Sequence, residues 1–428
     1  MPWLFESSFG FATDPYRYIS KTCRQLRSDA FATRLRLRRV ICMTGEESAR
    51  VFYDERRMRR EGAAPSRIQN TLFGQGGVQG LDDLEHRHRK ALFVQLTTPE
   101  HANRIARIAE GWLLRYARRW CEQRQVVLYQ QLPEVLTRTV CQWAGISLRE
   151  DEVRCRSAQL TALFDDSGNF GPEHWWSRVN RIAANRWASQ LVKRIRSGEM
   201  DLPPQAPAAI VAQHRDLAGD LLSSQAAGVE LLNLLRPTVA VSVYLVFVAH
   251  ALHRFADARR FVDSGTDTAV HSFVEEVRRY YPFFPFLAAI VRKSFQWHGF
   301  RFSRGRHVIL DLYGINHDPR RWNDPNQFQA ARFEHPGHCP FHSVPQGGGD
   351  VRTGHRCPGE PVALELMKMM TRFLNQSLTF QVPREQDLTV DYQRLPALPK
   401  SGFVMEEVHL RSNSSVFDHA SAMTAGRH

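Results

Sequence analysis

Residues Phe341–Glu360 read F-H-S-V-P-Q-G-G-G-D-V-R-T-G-H-R-C-P-G-E, with a single cysteine, Cys357, near the end. Three consecutive glycines, Gly347, Gly348 and Gly349, admit backbone shapes that other residues resist. Pro358, Gly359 and a helix-forming run from about Val362 follow the sulfur. The spacing therefore predicts a thiol at the end of a glycine-rich loop, against a helix N-terminus. The helix dipole and the neighbouring His355 and Arg356 are expected to favour its thiolate. A sulfur so placed can ligate a metal or a haem iron. Alone, it reads as a buried free thiol, which behaves as a small hydrophobe.

Two further segments decide between these. E-E-V-R-R-Y-Y-P (275–282) sets Glu276 and Arg279 in a helical E-x-x-R spacing, and D-P-N-Q-F-Q-A-A-R-F (324–333) supplies Arg332 and Phe333. In order and spacing the three segments resemble the haem-thiolate signature of the cytochrome P450 superfamily. The resemblance covers roughly the last third of the chain. Asp350 and His355 stand where most of the superfamily has Phe and Arg, and the G-H-R-C-P-G-E variant is most similar to the bacterial fatty-acid peroxygenase branch. It implies Cys357 as axial ligand of haem b, and a buried network of Glu276, Arg279 and Arg332 shaping the loop. The superfamily's proline before Arg332 is missing; Ala330 and Ala331 stand there.

The whole chain agrees with a P450 fold, mostly α with a minor β part. A single large domain is expected over 1–411 and a disordered tail over 412–428. Residues 33–44 alternate like one half-exposed strand. Thr98 and Pro99 predict the cap and first position of a helix ending near Cys121. Leu132–Gly145 and Glu173–Arg196 also read as helices, 293–312 as short strands, and 74–80 as loop. The chain has 428 residues and 7 cysteines without a framework, which suits a reducing cytoplasm. Neither a signal peptide nor an integral membrane segment is visible. The net charge of +13 raises a basic binding protein as an alternative, but no nucleic-acid module accompanies it.

The apolar run Gly228–Arg254 is read as the main helix. It carries Arg236 and Pro237 in its middle, two features unfavourable in a buried helix. From the residues alone, Arg236 is either a carboxylate anchor or a partner for an internal acid such as Glu230. The resemblance implies the anchor: Arg-Pro replaces the acid-alcohol pair of dioxygen-using members. It implies hydrogen peroxide and a long-chain fatty acid as substrates, no redox partner, and hydroxylation at the α or β carbon. Decarboxylation to a terminal alkene and reductase-dependent monooxygenation are the alternatives. It further implies Gln79 as distal neighbour and His86 as a propionate donor, with Arg60, Lys90 and Arg356 as further candidates. Leu72, Phe73, Phe170, Phe283 and Phe286 would line the substrate channel. A solvated helix face is the other reading of His86 and Lys90, and plain core packing that of the apolar residues. His335, His338, Cys339 and His342 raise a zinc site, but their spacing fits no common zinc module, and a surface loop leading into the Cys357 segment is the better reading.

Overall fold

The computed structural model describes residues 6–165, 172–335 and 339–411. Helices dominate it and three small sheets complete it, as expected. The tail 412–428 lies outside the described residues.

The main apolar run is two helices, Ser224–Ala240 and Ser242–Arg254, separated at Val241. The first begins earlier than expected because Ser223 caps it, its hydroxyl accepting from the Ala226 amide at 3.1 Å. Pro237 stays within this helix. By length and composition the 31-residue run could cross a membrane, but 94% of its apolar window is buried. It is packed by helices Leu128–Ala144, Glu150–Asp165 and Pro172–Arg196. Leu235, Val239, Phe247, Phe273 and Leu366 share one core cluster.

Helix Pro99–Trp120 starts as predicted: the Thr98 hydroxyl accepts from the His101 amide and Pro99 takes the first position. It packs along helix Glu360–Arg372 and so backs the segment that follows Cys357.

The 33–44 expectation is corrected. The structure has a hairpin, Ala30–Leu35 against Arg38–Met43, turning at Arg36 and Leu37 with φ of 48° and 66°. Such turns favour Asn and Gly, and neither is present. The Glu6 carboxylate replaces that preference by accepting from the Arg36 amide at 3.1 Å and the Leu37 amide at 3.3 Å. Strand Arg38–Met43 pairs in parallel with His307–Asp311, which pairs antiparallel with Phe286–Val291. A second sheet sets Val404–Leu410 between Gln125–Val127 and Leu378–Gln381.

Candidate active site

Cys357 closes the glycine loop just before helix Glu360–Arg372, whose N-cap is Gly359. Gly347 and Gly349 have φ of 98° and 83°, the left-handed region that glycine tolerates. The Cys357 amide donates to the Gln346 carbonyl at 3.1 Å. Lys90, 3% exposed, donates to the Gly354 carbonyl and, at 2.5 Å, to that of Arg356. Burial raises the thiol pKa, while the Gly359 amide, Lys90 and Arg278 act to lower it. This corrects the expected source of thiolate support. His355 turns to Asp82 at 3.6 Å and stacks on His86 at 3.8 Å between ring centres. Burial lowers its pKa to about 4, so it is neutral near pH 7. Arg356 is bound by Glu360 at 2.6 Å.

The loop is anchored as predicted. Arg279 makes two 2.7 Å bonds to Glu276, both residues fully buried, and Arg332 Nε lies 3.2 Å from the same carboxylate. Arg279 also donates to the Asn316 carbonyl at 2.9 Å, and the Asn316 side chain accepts from the Val344 amide at 2.8 Å. The ion pair thus reaches the loop through one asparagine. Where the proline is missing, Ala330–Phe333 forms a short turn held by Ser272, which donates to the Ala330 carbonyl at 2.6 Å.

Arg236 is 6% exposed, and Cys357 is among the groups whose charge acts on it. Among the described residues it has no ion pair, and its Nε finds no acceptor. Burial first, and the Arg181 cation second, push its pKa down to about 9. Glu230 is not its partner: that carboxylate accepts from Arg89 at 2.8 Å and from the Asn233 amide at 3.0 Å. Pro237 follows at the next position. Gln79 sits in the short turn Val78–Gly80, its Oε1 buried without a donor. Leu72, at 5% exposure, belongs to the helical core, and half-buried Phe73 and Phe283 pack on it. Phe283 also stacks on Tyr244 at 4.5 Å. Phe286 sits apart from these, edge-on to Phe11 at 5.5 Å beside the Ile19–Phe31 cluster. Phe170 lies outside the described residues.

Of the four propionate candidates, His86 is 3% exposed and its Nδ1 has no partner. The solvated-face reading of His86 and Lys90 is therefore corrected. Arg60 donates to the Ala288 carbonyl at 3.2 Å and lies over the Phe52 ring at 4.0 Å, while Lys90 and Arg356 are engaged as above. Sequence reasoning missed Arg181, 2% exposed, which donates to the Thr71 and Leu72 carbonyls at 3.0 and 3.3 Å. Its signal was lost among the other arginines of helix Pro172–Arg196.

The donor set fits a haem better than a bare ion. Cys357 belongs to no metal-binding cluster among the described residues and is partly accessible. One thiolate suffices for an iron whose other ligands come from a macrocycle, whereas zinc needs three or four side chains. The orphaned His86 Nδ1 and Arg236 Nε match groups that would face carboxylates. The zinc suggestion fares differently: Cys339 and His342 do meet, but around Glu46, to which Arg50 and Arg321 also bind at 2.6 and 2.8 Å. Two guanidinium cations there oppose a divalent ion. His335 is exposed and His338 lies outside the described residues.

Comparison with known proteins agrees. A solved cytochrome P450SP alpha (CYP152B1) in complex with (R)-ibuprofen matches with a TM-score of 0.93 and 46% identity, over 95% of this chain and 99% of that one. The chain belongs to the cytochrome P450 family. Its resemblance within the family is to the CYP152 branch. The P450EX alpha (CYP152N1) structure with myristic acid matches at 39% identity and a TM-score of 0.91, covering 95% of this P450 and 98% of that chain. The sequence profile of the cytochrome P450 family matches residues 268–406. Cytochrome P450 3A11 of Mus musculus is 29% identical over 139 residues, 32% of this P450; the match spans only 27% of that protein. The P450 is thus a haem-thiolate oxidoreductase, and its similarity to CYP152 structures supports fatty-acid oxidation.

Proposed function

We propose that this P450 hydroxylates long-chain fatty acids at the α or β carbon with hydrogen peroxide, needing no redox partner and acting in the cytoplasm. The observation that carries the reading is Arg236: a buried guanidinium without an acid among the described residues. A buried cation calls for an anion, and a substrate carboxylate supplies one with paired hydrogen bonds. The relative solved with myristic acid is consistent with such a ligand.

Haem b, which the Cys357 thiolate would hold, would supply the oxidising chemistry; His86, aided by Arg60, would hold its propionates. The remaining steps belong to the chain. Arg236 orients the carboxylate, so the carbons next to it are the ones presented for attack. Leu72, Phe73 and Phe283 enclose the acyl chain and exclude water. Pro237 has no N–H and Gln79 no titratable atom, so the acid–base group of this chamber is the substrate carboxylate itself, fixed at Arg236. A glutamine that cannot relay protons favours hydroxylation over decarboxylation.

The test incubates haem-loaded protein with a long-chain fatty acid and hydrogen peroxide, without reductase, and identifies products by mass spectrometry. Hydroxy acids, lost in Arg236→Ala, are expected. Alkenes one carbon shorter would replace hydroxylation by decarboxylation. No product from a protein with an intact Soret band would return the chain to the reductase-dependent class.

A further inference from the structure

Glu230, Asn233 and Arg236 follow one another at three-residue steps along helix Ser224–Ala240 and so share one side of it. Asn233 is 4% exposed. Its Nδ2 donates to Glu230 Oε2 at 3.0 Å, and Glu230 Oε1 accepts from Arg89 at 2.8 Å. The ion pair therefore settles which way the amide faces: nitrogen toward Glu230, oxygen away from it. That oxygen, Oδ1, is buried and receives no hydrogen bond.

A second acceptor in the same state stands close by. A Cβ built on Gly77 would meet Asn233 Nδ2 at 2.7 Å and Gln79 Oε1 at 3.2 Å. The two amides thus flank one glycine, where no side chain fits, and Gln79 Oε1 is also buried without a donor. Pro237 bears on the same residue. Lacking an N–H, it cannot donate the usual helical bond to the Asn233 carbonyl four residues earlier.

Two buried side-chain acceptors without donors, one of them three residues from the cationic Arg236, describe a ligand narrowly. An ionised carboxylate has no hydrogen to give, and a metal cation is opposed by Arg236. A small neutral molecule carrying two O–H donors fits, and of such molecules the peroxygenase reading supplies hydrogen peroxide. We propose that Asn233 is a positioning residue that holds hydrogen peroxide beside the carboxylate anchor, with the Glu230–Arg89 pair fixing its amide. The inference rests on the peroxygenase reading and deepens it. Arg236 takes the anion and Asn233 takes the neutral oxidant, so the two substrates have separate seats.

The experiment measures KM for hydrogen peroxide at saturating fatty acid, and separately the fatty-acid Kd from the Soret shift, in wild type, Asn233→Leu, Asn233→Ser and Glu230→Gln. Asn233→Leu should raise the peroxide KM about five- to tenfold, the worth of one hydrogen bond, with the fatty-acid Kd within about twofold of wild type. Asn233→Ser, which keeps an acceptor, should recover part of the loss. Glu230→Gln, which keeps the shape and removes the charge, should give a smaller rise. Should Asn233→Leu fail to take up haem, the other two variants decide. An unchanged peroxide KM across the folded variants means that the acceptors hold only water, and overturns the proposal. A weakened fatty-acid Kd with an unchanged peroxide KM overturns it in favour of a carboxylate contact. A wild type that binds fatty acid but turns none over with peroxide removes the peroxygenase reading and this one together.

Discussion

Replacing Arg236 by methionine should make the resting enzyme more stable while abolishing its grip on fatty acids. Burial lowers the Arg236 pKa from its ordinary high value to about 9. A cation with a depressed folded-state pKa destabilises the fold fully below that pKa, and the penalty fades only as pH rises above about 9. At pH 7 the penalty is thus complete. At about 1.36 kcal/mol per pH unit, that depression sets an upper bound of about 5 kcal/mol. Methionine fills similar space and leaves no charge, but relaxation around the cation already recovers some of the bound. A net gain of about 2–3 kcal/mol is a fair expectation. With about 2.1 cal/mol/K of unfolding entropy per residue, a chain this long gains roughly 1 °C per kcal/mol, so Tm should rise by about 2–3 °C. The assay is thermal melting of haem-loaded, fatty-acid-free protein at pH 7, at one fixed scan rate because large proteins often unfold irreversibly. Adding fatty acid should raise the wild-type Tm and leave Arg236→Met unmoved. A variant that melts below wild type, or binds fatty acid as tightly, would refute the reasoning, since it would mean that Arg236 serves the fold and not the ligand.

Other predictions follow from buried charges elsewhere. Glu276→Gln strands two arginines and should cost about 3–5 kcal/mol, seen as a loss of several degrees in Tm or of recoverable holoprotein; a melt like wild type would contradict the anchoring role. Lys90→Met removes both side-chain bonds to the carbonyls before Cys357, so haem content per chain, read as Soret to protein absorbance, should fall at least twofold while the helical circular dichroism persists. Unchanged haem content would show the loop to be self-supporting. Asp311 is raised to about 7 by burial. For an acid so shifted the penalty is absent below the unfolded value of about 3.8, grows through the interval and is complete above about 7. Asp311→Asn should therefore melt roughly 1–3 °C above wild type at pH 8 and lose that advantage by pH 4; an advantage independent of pH would point to another cause.

What was legible in the sequence shares one property: the signal lies within a few residues of its effect. Thr98-Pro99 starts a helix where it stands, Glu276 and Arg279 meet across one helical turn, and Arg236-Pro237 is conspicuous among leucines. What was missed depends on distant partners. The Arg36–Leu37 turn is held by the carboxylate of Glu6. His355 and Arg356 look like thiolate supports until Asp82 and Glu360 take them. The burial of His86 and Lys90 could not be seen from an amphipathic pattern, because the surface covering them is the cysteine loop itself. Cys339 and His342 drew attention as neighbours, yet the group they meet, Glu46, brings two arginines with it.

The bonds from Lys90 to the Gly354 and Arg356 carbonyls span 264 and 266 residues of chain. During synthesis, the lysine leaves the ribosome long before the loop it must hold. Until then its ammonium has no carbonyls to bind, and the sulfur that completes the centre does not yet exist. Closing a contact over such a separation is among the later events of folding. Cofactor capture is thereby tied to synthesis of the cysteine loop, near the C-terminal end of the site.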